Sequence, residues 1–76
     1  MKVFRDREGR EWEAFVGRES WGAVVALFSK RMGSEPPRQV LLQATSPEEG
    51  SRLLREMDEE ELIALLERAE LHSAGS

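Results

Sequence analysis

The chain has 76 residues, no cysteine and a formal charge of -4 at pH 7. This length accommodates one small domain and no second catalytic domain, and the lack of cysteine excludes disulfides, thiolate metal sites and thiol nucleophiles. The N-terminus MKVFRDREG lacks the apolar core of a secretory signal, and no apolar run approaches the roughly 20 residues that span a bilayer. We therefore expect a soluble, cytoplasmic domain that does not associate with membranes.

The charge is unevenly distributed along the chain. Residues 1–40 carry eight Lys and Arg against six Asp and Glu, a balance of +2, whereas residues 41–76 carry three against nine, a balance of -6. A surface that follows a phosphate backbone needs clustered Lys and Arg, which only the first part supplies. The acidic second part would repel nucleic acid.

The first predicted element is a β-hairpin in FRDREGREW, residues 4–12. Asp6 and Gly9 occupy the positions favoured by a type I turn followed by a glycine of positive φ. This pattern is typical of a hairpin with a three-residue loop and a bulge. The loop would consist of residues 7–9.

The loop length decides which residues of this hairpin face each other. A three-residue loop places Arg5 opposite Glu11 and Phe4 opposite Trp12, an ion pair on one face and an aromatic pair on the other. A two-residue loop would instead oppose Arg5 to Arg10, two like charges. We therefore predict the register of the three-residue loop.

The following residues predict a strand and then a segment with two interpretations. Residues 11–16 alternate polar and apolar side chains, with Phe15 as the exception, and Gly17 ends the pattern. Residues 21–32 fit a helix capped by Ser20, or a strand in GAVVALFSK. We favour the strand because the loop SEPP and the alternating run RQVLLQAT complete a second hairpin.

Two helices are predicted in the second half of the chain. In TSPEEG, Ser46 is the N-cap, Pro47 the first helical residue and Glu49 the reciprocal capping carboxylate, and the helix continues to about Met57. A second capping box, Asp58 with Glu61, starts another helix at residue 59.

The second helix is amphipathic. One face holds apolar side chains and is expected to pack on the sheet: Leu62, Leu65, Leu66 and Ala69, with Ile63 beside them. The opposite face shows Glu60, Glu67 and Arg68 to water. The last five residues, HSAGS, are polar and predict a frayed tail at 72–76.

Together these elements predict an α+β domain over residues 1–71. Its core is an antiparallel meander of three to four strands, with two C-terminal α-helices packed on one face. The segments FRDREGREW, GRESWG and RQVLLQATS and the closing leucine-rich helix resemble short uncharacterised bacterial proteins from GC-rich genomes. The resemblance covers residues 4–70 and implies the order hairpin, strand, strand, helix. It implies no activity and no functional residue.

One serine invites comparison with a catalytic motif. Ser20 in GRESWG has Gly22 where the nucleophile elbow requires its second glycine, but Arg18 stands where the first is required. The strand-to-helix context is also missing, and His72, the only histidine, lies in the predicted tail. We therefore expect Ser20 to be a turn or capping residue.

The acidic residues do not form a catalytic or metal pattern. Glu11 with Glu13, and Glu59 with Glu60, lie in polar stretches where burial would not shift a carboxyl pKa toward acid–base chemistry. The DEEE run at 58–61 lacks the spacing and the central glycine of a calcium loop. We expect no enzyme activity, no metal and no cofactor, and infer no small-molecule substrate.

A basic surface with a stacking aromatic would suit a small nucleic-acid-binding regulator. The candidate contacts are Arg5, Arg7, Arg10, Arg18 and Trp21. Acidic residues interleave with these arginines, however, and Trp12 falls on the apolar face of its strand, which makes it a core residue. Nucleic-acid binding is therefore the alternative function rather than the favoured one.

The favoured function comes from apolar residues. The predicted helices cover one sheet face, and the other face retains apolar side chains with no element left to cover them; strands apolar on both faces require two coverings. The candidate interface residues are Phe15, Val25, Leu27 and Leu41. Because exposed apolar patches mark association sites, we expect an interaction or assembly module that self-associates or binds a partner protein through this face.

Two alternatives to this interface remain open. In the first, sheet twist and the long side chains of Glu13, Gln39 and Gln43 shield the second face without any partner. An edge strand at residues 1–5 offers another way to pair with a second chain, by strand addition.

Overall fold

The computed structural model describes residues 2–33 and 35–71 and confirms the predicted α+β fold. The elements are β1 (Lys2–Arg5), β2 (Glu11–Arg18), β3 (Val24–Lys30), β4 (Arg38–Leu41), α1 (Pro47–Glu56), α2 (Glu59–Arg68) and β5 (Glu70–Leu71). The sheet is antiparallel with the order β1-β2-β3-β4-β5, so the first four strands form the predicted meander. The frayed tail predicted at 72–76 lies outside the described residues.

The segment with two interpretations is a strand. β3 pairs with β2 from Trp12 to Arg18 and with β4 on its other side, so it is a central strand. A helix in its place would leave the backbone groups of both neighbouring strands without partners. Ser20 lies in the turn before it, as predicted: the Gly22 N–H donates to the Glu19 carbonyl at 2.9 Å, and Gly22 has a φ of 97°.

The first hairpin has the predicted register, with Phe4 opposite Trp12 and Arg5 opposite Glu11. Its loop is also as predicted, since Gly9 has a φ of 81° and donates its N–H to the carbonyl of Asp6 at 3.0 Å. The predicted ion pair is wrong: Arg5 and Glu11 form none in the described part of the chain. Both residues are exposed, where such a pair stabilises little.

The helix termini largely follow the predicted capping. Ser46 caps α1 by accepting the Glu49 N–H at 3.2 Å, but the Glu49 carboxylate accepts from the Thr45 N–H at 2.7 Å, one residue beyond the predicted partner. Hydrogen bonds from the Thr45 backbone and hydroxyl lower the pKa of Glu49. The capping box of α2 is reciprocal, since the Glu61 N–H donates to Asp58 Oδ1 at 2.8 Å and the Asp58 N–H to Glu61 Oε1 at 3.0 Å.

Substitution of Asp58 by alanine is expected to lower the free energy of unfolding by about 1 kcal/mol, because the N–H of Glu61 loses its acceptor. Urea titration followed by far-ultraviolet circular dichroism would measure this loss. Asp58→Asn retains a capping oxygen and should lose much less. Equal losses in the two variants would contradict the capping role.

The hydrophobic core lies between one sheet face and both helices. It consists of Phe4, Trp12, Ala14, Ala26, Phe28, Leu54, Leu62, Ile63, Leu65 and Leu66. Trp12 is a core residue, as predicted, with 4% of its surface exposed. α1 approaches the sheet closely at Gly50, where an added Cβ would lie 3.0 Å from Val24 Cγ1. No helix in the described ranges is long and apolar enough to cross a membrane.

Candidate functional site

Alternate residues of β1 to β4 point away from the helices and form what we call the open face. Its apolar members are Val3, Phe15, Val25, Leu27 and Leu41, so the four candidate interface residues share one face. Phe15 lies opposite Leu27, and Val25 lies between Gly17 and Leu41. These pairings place the apolar side chains in adjacent rows of the sheet.

The apolar residues of the open face differ in their exposure. Leu41 is 59% exposed and Val3 is 42% exposed, whereas Phe15 and Leu27 are half-buried. Val25 is only 2% exposed, so it is a buried member of the open face and offers little contact surface to a partner. Leu27 lies over Gly17, where a Cβ would come within 2.6 Å of Leu27 Cδ1. A partner would thus contact mainly Leu41, Val3, Phe15 and Leu27.

The open face carries little net charge. Within β1 to β4 its charged residues are Arg5, Glu11 and Glu13, a sum of -1, and Glu13 Oε1 lies 3.6 Å from Nε of Arg31, which follows β3. The helical layer, residues 47–68, contains eight Asp and Glu against three Arg, a balance of -5. The open face is therefore much less acidic than the helical layer.

Trp21 extends the apolar surface beyond the open face. It lies in the turn between β2 and β3, is 71% exposed, and lines a cavity of about 390 Å³ together with Val25 and Leu41. A second cavity, of about 630 Å³, shares Trp21 and Leu41 and continues toward Met57 at the end of α1. Apolar surface therefore runs from the open face around the β2–β3 turn toward the helices.

The candidate nucleic-acid residues do not form one basic surface. Arg7 Nε lies 3.1 Å from Glu67 Oε2, and its hydrogen bond to Glu67 raises the pKa of Arg7. Arg7 also lies within 3.6 Å of a carboxylate oxygen of Glu60, and Arg10 lies 3.0 Å from Glu8. Two of the four arginines are thus already paired with carboxylates of the same chain.

The remaining members of this set lie far apart. Arg5 belongs to the open face, while Arg18 and Trp21 lie at the end of β2 opposite to Arg10. Eight residues of extended chain separate Arg10 from Arg18, which corresponds to about 26 Å. The five residues therefore present several small charged regions rather than a continuous track.

The structure assembles a basic cluster that the sequence patterns did not reveal. It consists of Arg10, Lys30 and Arg38, all near the Trp12 ring. Lys30 Nζ lies 5.6 Å and the Arg38 guanidinium carbon 5.4 Å from the ring centroid. Lys30 pairs with Trp12 across the sheet, and Arg38 pairs with Phe28 on the next strand. Only the pairing of three strands brings these cations together.

A concavity of about 270 Å³ adjoins this cluster. The first hairpin and the two cationic strand residues form one side, and Ile63, Leu66 and Glu67 of α2 form the other. Asp6 also lines it, and its carboxylate accepts the Trp12 indole N–H at 2.8 Å. We call this concavity the Trp12 site.

The carboxylate of Glu35 already lies against the basic cluster. It forms an ion pair with Lys30. The hydrogen bond and the charge of Lys30 lower the pKa of Glu35, and the charges of Arg38 and Arg10 add to the effect. The cluster therefore stabilises a negative charge at this position.

The edge of β1 is partly occupied by α2. The backbone N–H of Arg5 donates to Glu59 Oε2 at 3.3 Å. A carboxylate on an edge strand opposes pairing with another strand, because it satisfies a backbone donor and adds charge. This contact favours the open face over strand addition as the association surface.

No protein-family model, curated protein or solved structure matches the chain. The resemblance to short bacterial proteins stays a prediction.

Proposed function

We propose that this protein is a non-catalytic interaction module of the cytoplasm that forms a homodimer through its open face. The observation behind the proposal is the asymmetry of the sheet: both helices cover one face, while the other combines exposed Leu41 and Val3 with a net charge of only -1. Exposed apolar patches of this kind mark association sites. The cytoplasm is proposed from the cysteine-free composition.

A second copy is the partner that the charge distribution favours. Packed sheets lie about 10 Å apart, and a helix adds about 10 Å on each outer side, so the two helical layers of a face-to-face dimer would be roughly 30 Å apart. Charges at that distance are largely screened at physiological salt, where the Debye length is about 8 Å. This arrangement brings the two weakly charged faces together and keeps the acidic layers apart.

The size of the open face sets the expected strength of the dimer. β2 and β3 are about 25 Å long and β1 and β4 only about 13 Å, so the four strands, about 4.8 Å apart, give a planar area of roughly 360 Å². A standard interface buries about 800 Å² of accessible surface on each partner. We therefore expect a reversible, concentration-dependent dimer that uses the whole face.

Leu41→Ser is expected to shift the protein toward monomer. Each dimer loses two leucines, and at about 1–2 kcal/mol for each incompletely buried side chain the dissociation constant should rise roughly 30-fold to 1000-fold. Light scattering coupled to size exclusion, over a range of protein concentrations at low and high salt, would measure this shift. Phe15→Ser should act in the same direction, and the wild-type dimer should persist at high salt.

Met32→Ser is the matched control, because Met32 is 89% exposed but lies outside the candidate interface residues. It should leave the dimer unchanged. Leu41→Ser should also leave thermal unfolding of the monomer nearly unchanged, since most of its side chain is exposed before association. A wild-type protein that is monomeric at every concentration, or a dimer that tolerates Leu41→Ser, would overturn the proposal.

The nucleic-acid alternative lacks comparable support. Arg7 is paired with Glu60 and Glu67 of the chain, and the five candidate contacts lie on separate surfaces. Retention of the protein on RNA or DNA that weakens steeply with salt would favour the alternative.

A further inference from the structure

We propose that the Trp12 site binds a small dianion of the phosphate monoester class, held by Arg10, Lys30 and Arg38, three cations that line the concavity. This inference is independent of the open face, which is formed by the opposite side of the sheet. It rests on three observations: three cations lie close together, the carboxylates that now pair with them are exposed, and the concavity has the size of a small ligand.

The charge of the site matches a dianion. The three cations sum to +3, and Asp6 contributes -1, which leaves +2 when Glu8 and Glu35 have turned away. Asp6 is held in place, because it accepts hydrogen bonds from the N–H groups of Glu8 and Arg10 and from Trp12. Arg7 of the first hairpin and Glu67 of the facing helix α2 neutralise each other.

The carboxylates that now contact the cluster are replaceable. The side chains of Glu8 and Glu35 are 69% and 53% exposed, and exposed ion pairs contribute little free energy. Arg38 forms no ion pair with any residue in the described ranges. A ligand would thus exchange two weak contacts for several charge-assisted hydrogen bonds, which are roughly twice as strong as neutral ones.

The cations themselves are held before any ligand arrives. Arg38 and Lys30 both lie over the Trp12 ring, and the side chain of Lys30 is only 17% exposed. Trp12 is in turn fixed by its burial and by its hydrogen bond to Asp6. Side chains ordered in advance lose less entropy on binding, which raises affinity.

The surroundings select a small ligand. A volume of about 270 Å³ lies just below the range of about 300–1,000 Å³ typical of ligand pockets. Trp12 is 4% exposed, so a nucleotide base cannot stack on it, and α2, with four Glu against one Arg, would repel a longer polyanion. A compact phosphate group therefore fits better than a nucleic acid.

Inorganic phosphate, titrated at constant ionic strength with chloride as the balancing anion, tests the proposal by nuclear magnetic resonance. The two indole N–H resonances give a built-in comparison, since Trp12 lies at the site and Trp21 in the distant β2–β3 turn. We expect a saturable shift of the Trp12 resonance alone. In Glu35→Gln the affinity should rise at least fivefold, because the competing carboxylate is removed.

A second substitution serves as the matched control. Adding Arg38→Gln to the Glu35→Gln variant should lower phosphate affinity at least tenfold, whereas adding Arg52→Gln on α1 should not change it. Acetate, a monoanion, should bind at least tenfold more weakly than phosphate. Shifts that do not saturate, shifts of equal size at Trp21, equal affinity with and without Arg38, or equal affinity for acetate would each overturn the proposal.

Discussion

Phe28→Ala is expected to lower the free energy of unfolding by about 3–5 kcal/mol, the range for removing a large aromatic from a core. Phe28 has 0% of its surface exposed and lies in the central strand β3 facing the helices. Its ring packs edge-on against Phe4, with centroids 5.8 Å apart. The substitution would remove this contact and leave a cavity that the rigid sheet cannot close.

Urea titration would measure this loss against Met32→Ala, in which an 89% exposed side chain is removed and a change within about 0.5 kcal/mol is expected. A chain of 76 residues is expected to have a stability of about 4–11 kcal/mol, and the loss in Phe28→Ala is equal to the lower end of this range. Phe28→Leu keeps part of the volume and should give a smaller, measurable loss. A loss in Phe28→Leu no greater than in Met32→Ala would contradict the central position of Phe28.

Asp6→Ala is expected to lower the free energy of unfolding by about 2–3 kcal/mol, because one carboxylate satisfies several donors. It accepts the N–H groups of Glu8 and Arg10 at 2.9 Å each and the Trp12 indole N–H at 2.8 Å. Without it, the indole N–H of a tryptophan only 4% exposed loses its partner. The turn of the first hairpin would weaken at the same time.

The contribution of Asp6 should also depend on pH. Burial raises the pKa of Asp6, but hydrogen bonds from Trp12, Arg10 and Glu8, with the charge of Arg10, outweigh burial and leave the pKa below its ordinary value of 3.8. A carboxyl with a lowered folded pKa stabilises the protein fully above its unfolded pKa. This stabilisation is lost as the pH falls through the folded pKa.

Comparison of wild type with Asp6→Asn between neutral pH and about pH 2 would isolate this effect, since the unfolded carboxyl titrates near 3.9. Asparagine can still accept from the turn N–H groups but does not ionise over this range. The stability difference between the two proteins should therefore shrink below about pH 4. Parallel pH profiles would show that Asp6 does not contribute through its charge.

The two proposed surfaces can be tested separately because they lie on opposite faces of the sheet. Leu41→Ser should abolish association without changing the phosphate-induced shift of Trp12. Arg38→Gln should weaken phosphate binding without changing the dimer. A variant that alters both properties would point to a change in the fold, which the circular dichroism spectrum would reveal.

The sequence predicted local structure where single residues determine it. Asp6 and Gly9 specify the first turn and its register, and Asp58 with Glu61 specifies the start of α2, because each feature depends on a few side chains and nearby backbone groups. The hydrogen-bond partner of the Glu49 carboxylate was predicted as the Ser46 N–H but is the Thr45 N–H. Two neighbouring backbone donors lie within reach of this one flexible side chain, so the sequence does not choose between them.

The residues that share the open face could be predicted from the alternation of side chains along the strands. Phe15, Val25, Leu27 and Leu41 share a face because side chains on a strand alternate with period two. Their exposure could not be predicted in the same way: Val25, which lies between Gly17 of β2 and Leu41 of β4, is 2% exposed, and this burial depends on neighbours in other strands. Trp21 is exposed because the turn carries it away from the core.

By itself, the sequence determined the order of β1 to β4, α1 and α2, the first hairpin and the helix starts, which depend largely on contacts within about ten residues. β5 was not predicted, because its pairing with β4 joins residues far apart in the chain. Only the tertiary structure decided which cations converge. Lys30 and Arg38 reach Trp12 through the pairing of β2 with β3 and of β3 with β4, registers that depend on packing of the whole sheet against α1 and α2. The pairing of strands that are distant in the chain cannot be predicted from local sequence patterns. For that reason the Trp12 site could be identified only in the tertiary structure.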